Sequence, residues 1–175
     1  MANIEIRLST GSTTSTNLVE PNKSIGGKMA QSANEGVSYI ISQNGMQMNS
    51  LWDDITQQDG ESKTPDYRCI YVYNNPVGSR KGSIIGLKAH LGGSSYAKHQ
   101  LGKASLPNTD ANIITDELQA PAGIQFEDHP KGSPLVLGTL NPREYYAIWI
   151  KRTPTNVSGA GEVREFMDLI LTGNS

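Results

Sequence analysis

The chain has few of the residues that small domains use for stability or chemistry. Among its 175 residues there is one cysteine, Cys69, which excludes an internal disulfide and a structural zinc site with several thiolate ligands. Aromatic residues make up 6% of the chain and charged residues 18%, below the roughly 25% of an average soluble domain. We therefore expect one domain with a modest core, stabilised by packing and further by binding to a larger assembly.

Long apolar runs and clusters of positive charge are also missing. No apolar run approaches the roughly 20 residues of a membrane-spanning helix, and the start MANIEIRLS lacks the basic-then-apolar order of a secretory signal. Lys and Arg number 15 against 17 Asp and Glu, a net charge of −2, and they form no basic stripe that could neutralise a row of phosphates. We therefore expect a soluble protein, made inside a cell, that binds neither membrane nor nucleic acid.

What the chain does have is turn-forming residues and β-patterned segments. From residue 67 the segment YRCIYVYNN is rich in aromatic and β-branched residues and ends at Asn-Asn-Pro, which predicts a strand covered on both faces. Short turn sequences separate the later candidates, and this punctuation predicts an all-β fold, a single β-sandwich domain of the Ig-like or jelly-roll-like type. The further predicted strands are residues 82–91, 111–119, 123–127, 133–140 and 144–152.

The first part of the chain differs from the rest. A short alternating segment with Ile4, Ile6 and Leu8 is followed by a stretch rich in small hydroxyl residues, which favour turns and loops. We predict that residues 1–36 form a polar, extended N-terminal arm and long loop. The β-sandwich domain is then predicted to comprise residues 37–175.

Two segments allow more than one interpretation. The run LWDDIT places Leu51, Trp52 and Ile55 at helical spacing but is too short to form a helix alone, so we predict a loop anchored by Trp52. Residues 161–171 fit both a helical stripe and a final strand. We favour the strand, because the rest of the chain is predicted to be all-β.

Residue types that hold metals or transfer protons do not occur at recognisable spacings. His90, His99 and His129 form no short ligand pair, and the acidic pairs at 53–54 and 116–117 lie outside any calcium-loop pattern. The most reactive side chain, Cys69, adjoins Arg68, but neighbours in a strand point to opposite faces, which indicates a buried structural thiol. We therefore assign no catalytic, cofactor-binding or metal-binding residue and expect no enzyme activity.

Four short motifs follow one another along the chain. They are a turn at residues 24–27 (SIGG), a strand at 67–72 followed by Asn74, a turn at 120–123 (APAG) followed by Phe126, and the strand residues 148–150 (IWI) followed by Arg152. In this order they resemble a group of tailed-bacteriophage virion structural proteins. Residues 9–11 depart from the pattern, because Ser-Thr-Gly stands where a double-glycine turn is expected, which leaves the path of the arm open.

The resemblance implies a non-catalytic β-sandwich component of the virion, assembled in the host cytoplasm. A small, acidic protein with a polar arm suits a capsid decoration (cement) protein that binds the outer surface of the head and stabilises it, with the major capsid protein lattice as its partner. The alternatives are a tail, neck or baseplate component, or a glycan- or receptor-binding module in which exposed Tyr145 and Tyr146 supply stacking surfaces. An enzyme would need an acid–base pair assembled by the fold from distant residues.

Assembly contacts are expected where apolar side chains stand in polar segments. An arm too polar to fold alone could become ordered on the sheet edge of a neighbour, and a homotrimer at a local threefold axis would multiply weak contacts. For Trp52, capping the core of its own domain is an equally good interpretation. The candidate assembly contacts are Ile4, Ile6, Leu8, Met46, Met48 and Trp52.

Overall fold

The computed structural model describes residues 4–17, 24–31, 51–53, 55–78, 82–93, 96–104, 106–155 and 167–174. Within these residues the chain forms seven strands and one short helix. Their order is β1 (Ile4–Leu8), α1 (Gln57–Ser62), β2 (Asp66–Asn74), β3 (Ile84–Gly92), β4 (Ala97–Lys103), β5 (Leu135–Leu140), β6 (Tyr145–Pro154) and β7 (Asp168–Asn174).

The strands form two antiparallel sheets that pack as a sandwich. One sheet has four strands in the order β1-β2-β6-β4, and the other has three in the order β5-β3-β7. This confirms the all-β sandwich predicted from alternation and turn punctuation. The strand favoured for residues 161–171 is confirmed from Asp168 onward, where β7 begins, while residues 161–166 lie outside the described residues.

The main core lies between the two sheets. From the four-stranded sheet, β2 contributes Ile70 and Val72, and β6 contributes Ile148 and Ile150, because alternate residues of a strand share one face. Each of these four side chains is fully buried. The three-stranded sheet contributes Ile84, Leu87, Ala89, Leu135, Leu137 and Leu140 from the opposite side.

The outer face of the four-stranded sheet is covered as well. Tyr71 and Trp149 point away from the main core into a second cluster, which includes apolar residues of the segments 24–29 and 111–126. The Tyr71 hydroxyl donates to the Gly27 carbonyl and accepts from an amide of the second covering segment. Strand β2 is therefore buried on both faces, as its sequence predicted.

The described residues of the predicted N-terminal arm lie against this sandwich. Strand β1 pairs with β2 along its whole length, from Ile4 opposite Asn74 to Leu8 opposite Ile70. The residues that follow return over the outer face of the sheet, where the Ser24 hydroxyl, fully buried, donates to the carbonyl of Cys69 in β2. Residues 18–23 and the predicted domain boundary at residue 36 lie outside the described residues.

The glycines of the SIGG motif are required by close backbone approach. Gly26 has φ +98°, and a Cβ there would lie 2.2 Å from the carbonyl oxygen of Asn112. Gly27 has φ +81°, and its Cβ would lie 2.4 Å from the carbonyl oxygen of Ser12. Both positive φ values favour glycine, and neither site has room for a side chain.

Two predicted strands are wrong, and two observed strands were not predicted: β1, which lies in the predicted N-terminal arm, and β4. Residues 111–119 and 123–127 form turns with single bridges, because they place isolated apolar side chains such as Ile114 and Phe126 on the outer cluster instead of pairing along their length. Strand β4 was not predicted because its polar side chains, at an edge position of the sheet, weaken the β pattern. The short helix α1 also went unpredicted, although Thr56 and Asp59 form a capping box at its start.

Candidate functional site

Charged side chains lie inside one end of the sandwich, where β2 begins and β6 ends. Arg68 is 0% exposed, Arg152 6% and Asp66 7%. Arg68 occupies the same face of β2 as the core residue Ile70, and Arg152 is opposite Asp66 in the sheet register. Because burial of an unpaired charge is strongly unfavourable, each of these groups requires a partner.

Each arginine is paired with a carboxylate and also binds the backbone of residues 51–53. Arg152 contacts Asp66 in a bidentate manner, with Nε to Oδ1 at 3.1 Å and Nη2 to Oδ2 at 2.6 Å, and donates to the Asp53 carbonyl at 2.8 Å. Arg68 pairs with Glu117 at 2.6 Å and donates to the Leu51 carbonyl at 2.9 Å. The two guanidinium groups therefore hold this segment on the sandwich.

The indole of Trp52 lies against both guanidinium groups. Its ring centroid is 5.2 Å from Cζ of Arg68 and 4.7 Å from Cζ of Arg152, distances at which a cation is attracted to an aromatic face. The ring of His99 is 6.2 Å away and tilted. Trp52 is partly buried and packs against the main core, so its placement favours the interpretation in which it caps its own domain.

Burial shifts the pKa of two side chains in this part of the sandwich. Burial raises the pKa of the Asp66 carboxyl, opposed by the hydrogen bonds and charge of Arg152. Burial, with the adjacent positive charge of Arg152 as a second cause, lowers the pKa of His99 to about 4. The imidazole is therefore neutral at pH 7 and adds no third positive charge beside the two arginines. We name the set of Arg68, Arg152, Asp66, Glu117 and Trp52 the arginine clamp.

The candidate assembly contacts are placed differently from one another. Ile6 and Leu8 are each 4% exposed and belong to the main core, so their side chains contact this sandwich. Ile4 is partly buried and packs against the same core. Met46 and Met48 lie outside the described residues.

The tyrosines proposed as stacking surfaces are not free platforms. Tyr146 is 8% exposed and belongs to the main core, which contradicts its predicted exposure. Tyr145 is partly buried, its hydroxyl donates to Asp110 at 2.9 Å, and its ring meets that of Tyr71 edge-on at 5.3 Å. The prediction was wrong because Tyr146 faces inward at the start of β6, a direction set by the register of that strand.

The reactive residues considered from the sequence occupy structural positions. Cys69 is 0% exposed and burial raises the pKa of its thiol, which confirms the prediction of a buried structural cysteine. His90 lies buried in β3, in a different sheet from His99 in β4. The acidic pair at 116–117 is divided, since Asp116 accepts from a turn amide and Glu117 belongs to the arginine clamp.

Exposed apolar side chains mark the outer face of the three-stranded sheet. Ile85 in β3 is 61% exposed, Val136 in β5 is 55% exposed, and Ile170 in β7 is 40% exposed. Simple alternation along a strand would place Ile85 on the same face as Leu87, but an irregularity in the pairing of β3, at Gly86 with φ +62°, turns it outward. We name Ile85, Val136 and Ile170 the apolar outer face.

Three further findings bear on function. In the described part of the chain, no group of three or more His, Cys, Asp or Glu side chains is placed to hold a metal ion. Nor does any helix in that part have the length and apolar character needed to cross a membrane. In comparisons with known proteins, no family model, no curated protein and no solved structure matches this chain.

Proposed function

We propose that this protein is a non-catalytic structural component of a bacteriophage virion, and specifically a capsid decoration (cement) protein that binds the outer surface of the head and stabilises it. The sequence motifs that resemble tailed-phage virion proteins support the virion role. In the sandwich these motifs occupy positions that build the fold: Gly26 and Gly27 in the close turn, and Trp149 in the outer cluster.

The observation that carries the decoration role is the apolar outer face. Three large apolar side chains between 40% and 61% exposed lie on the three-stranded sheet, where the exposed Lys88 is paired with Val136. Grouped exposed apolar side chains on a soluble domain are typical of surfaces that bind other proteins. A sheet holds such side chains in fixed positions, so binding to a capsid surface would lose little conformational entropy.

The arginine clamp supports the same proposal from inside the sandwich. Its charged groups are paired with one another and with the backbone of residues 51–53, so they fix a loop in place. Such a cluster suits a rigid module that binds a lattice. A weak contact at each site becomes strong attachment when many sites are occupied by associated copies, so the proposal includes self-association of this protein.

The same surface would serve a tail, neck or baseplate component, which stays the alternative within the virion class. The glycan-binding alternative has less support, because Tyr146 is buried and Tyr145 is engaged by Asp110. The location of the protein on the particle therefore distinguishes the candidates better than any ligand screen.

The deciding experiment is cryo-EM of native particles from the source phage, with density assigned against this sequence and copies counted per lattice site. Density at regular positions on the outer shell is the expected result. Density confined to the neck or tail would contradict decoration while keeping the structural class. Absence from the particles would contradict both.

A binding experiment tests the surface itself. Lysines at Ile85 and Val136 would place charge on the apolar outer face without entering the core, so Ile85→Lys/Val136→Lys should co-sediment with heads lacking this protein at least tenfold more weakly than the wild type. The matched control is Leu118→Lys, a change at a side chain 52% exposed in a loop outside the three-stranded sheet. Equal binding by the double variant and the control would argue against this surface.

A further inference from the structure

Edge strands β1 and β4 of the four-stranded sheet already have hydrogen-bond partners beside them. At β1, the Ala30 amide donates to the Leu8 carbonyl at 3.0 Å, and Arg7 donates to the Gln31 carbonyl at 2.8 Å. At β4, Leu101 and Glu127 exchange two backbone hydrogen bonds of 3.1 Å. Neighbouring segments therefore cover part of each edge, which is how natural sheets limit association through their edges.

The two edges of the three-stranded sheet differ from each other. At β5, the Lys103 ammonium donates to the Val136 carbonyl at 2.8 Å, and Gly138, with φ +91°, interrupts the regular strand. Strand β7 pairs with β3 on one side, and no other strand in the described residues pairs with it. Of the four edges in the described part of the chain, β7 is thus the one with neither a lysine nor a covering segment in contact with its backbone.

The sequence of β7 also lacks features that discourage strand pairing. DLILTGN contains one charged residue, Asp168, and neither lysine nor proline. Its side chains alternate, with Leu169 and Leu171 packed towards the core and Ile170 and Thr172 directed outward. A strand added beside β7 would extend both the core face and the apolar outer face.

We infer that β7 pairs in an antiparallel manner with β7 of a second copy of this chain, across a two-fold axis. The two three-stranded sheets would then form one continuous six-stranded sheet. An axis at Leu171 sets Ile170 opposite Thr172 and Asp168 opposite Asn174 of the second copy, and every inward side chain faces another inward one. With the axis at Ile170 or Thr172 instead, inward side chains also lie opposite inward side chains of the second copy.

A second copy fits this edge for electrostatic and geometric reasons. With the axis at Leu171, the single charge of the strand, Asp168, lies opposite an amide, so no like charges oppose each other. An antiparallel strand related by a two-fold axis is complementary to itself in backbone hydrogen bonding, and such an interface closes at two copies. The inference concerns the isolated protein and does not rest on the proposed function.

Engineered cysteines test the pairing and its register. Opposed residues of antiparallel strands have Cα atoms about 4.5–5.5 Å apart, within the range that a disulfide spans. Under mild oxidation, Ile170→Cys crosslinks alone if the axis is at residue 170, and Thr172→Cys alone if it is at 172. If the axis is at residue 171, only the double variant Ile170→Cys/Thr172→Cys forms the crosslink. Background crosslinking through the natural Cys69 should be low because this residue is fully buried.

The matched control for crosslinking is Val136→Cys, which places an exposed cysteine on the other edge strand, β5. The inference predicts a dimer by sedimentation of the wild type and a crosslinked dimer from one of the β7 variants, with none from the β5 control. Equal crosslinking of the control, a wild type that remains monomeric at every concentration tested, or a trimer mass would each overturn it. A trimer would instead agree with the expectation from the sequence.

A charge variant provides a second readout that separates this inference from head binding. Ile170→Lys/Thr172→Lys should raise the dimer dissociation constant at least tenfold, because four lysines would crowd the paired strands. Ile85→Lys/Val136→Lys should leave dimerisation unchanged while weakening head binding. If the β7 lysine variant remains folded by circular dichroism and dimerises as the wild type does, the inference is overturned.

Discussion

At the scale of single residues, the arginine clamp explains how a sandwich with few charged residues accommodates two guanidinium groups at its end. Asp66 and Glu117 compensate the charges of Arg152 and Arg68, and the loop carbonyls of residues 51 and 53 accept further hydrogen bonds. Buried ion pairs of this kind contribute little net stability over an apolar replacement, but removing one partner is costly because the other stays buried and charged. The clamp is therefore expected to specify the position of the loop.

Breaking the clamp on one side should cost much more than replacing both sides. Asp66→Ala leaves Arg152 buried without its carboxylate and should lower the free energy of unfolding by about 3–5 kcal/mol. Asp66→Leu/Arg152→Met removes both charges, so its free energy of unfolding should be clearly higher than that of Asp66→Ala. Urea denaturation measures both variants. Asp128→Ala, at an exposed ion pair with Lys98, is the control and should change stability by less than about 1 kcal/mol. A double variant less stable than Asp66→Ala would contradict this account.

His99 should make the fold sensitive to mild acid. Its pKa is about 4 in the fold, whereas an unfolded histidine titrates near 6.5. Between those pH values the unfolded chain takes up the proton and the folded chain does not. The stability due to the neutral imidazole is thus complete above about pH 6.5 and is lost as the pH falls towards 4.

The measurement is the free energy of unfolding of the wild type and His99→Gln between pH 7.5 and pH 4.5. The variant should show a shallower loss of stability, by up to about 1.4 kcal/mol per pH unit. Burial also raises the pKa of Asp66, but that carboxyl is present in both proteins, so the difference between them reports on residue 99. Parallel curves for the two proteins would refute the assignment.

At the scale of elements, the segment 24–29 acts as a cover that closes the outer face of the four-stranded sheet. It is attached through backbone contacts: the Gly27 amide donates to the Ala111 carbonyl at 2.8 Å, and the Cys69 amide donates to the Ser24 carbonyl at 2.6 Å. These bonds require the backbones to approach closely, which only glycine permits at residues 26 and 27. The turn thus joins the N-terminal part of the chain to the covering loop near residue 112.

A methyl group in this turn should separate the cover from the sheet. Gly26→Ala would put a Cβ 2.2 Å from a backbone oxygen at φ +98°, so we expect a loss of more than about 3 kcal/mol or failure to fold. Gly123→Ala is the matched control, because it has a similar positive φ of +75° with nothing within 4 Å of the added methyl. Gly123→Ala should lower the free energy of unfolding by about 1–2 kcal/mol, which is the penalty of the positive φ alone. Thermal denaturation compares the two, and equal losses would show that close approach is not the cause.

At the scale of the whole molecule, the four-stranded sheet is shared by two apolar clusters. Ile70 and Ile148 bury their side chains on the inner face, while Tyr71 and Trp149 bury theirs on the outer face. Because the same two strands contribute to both clusters, loss of one cluster removes support from the other. We therefore expect the two sheets and the covering segments to unfold together.

The two tryptophans report on these two layers separately. Trp149 is 1% exposed in the outer cluster, and Trp52 lies in the clamp on the inner side. In Trp52→Phe and in Trp149→Phe the remaining tryptophan should unfold at the same urea concentration as the far-ultraviolet circular dichroism signal of that variant. An earlier fluorescence transition in Trp52→Phe would instead show that the outer layer opens independently.

Part of the candidate site could be predicted from the sequence. Trp52 was identified as the anchor of its loop, and Arg68 was placed on the face of β2 opposite Cys69, because both conclusions depend on residue type and on alternation within one strand. The partners of Arg68 could not be predicted, since Glu117 lies 49 residues further along the chain. The outward turn of Ile85 was missed for a related reason, because the irregular pairing of β3 arises against its neighbouring strands.

The sequence by itself determined the fold class, most of the strands and the burial of the single cysteine. These properties follow from alternation, β-branched residues and turn formers, which act between close neighbours in the chain. Only the tertiary structure decided which side chains meet, such as Arg152 with Asp66, 86 residues apart, and which sheet edge has no covering segment among the described residues. Strand order and register set those contacts, and both are chosen by the packing of the whole chain, so no local pattern contains them.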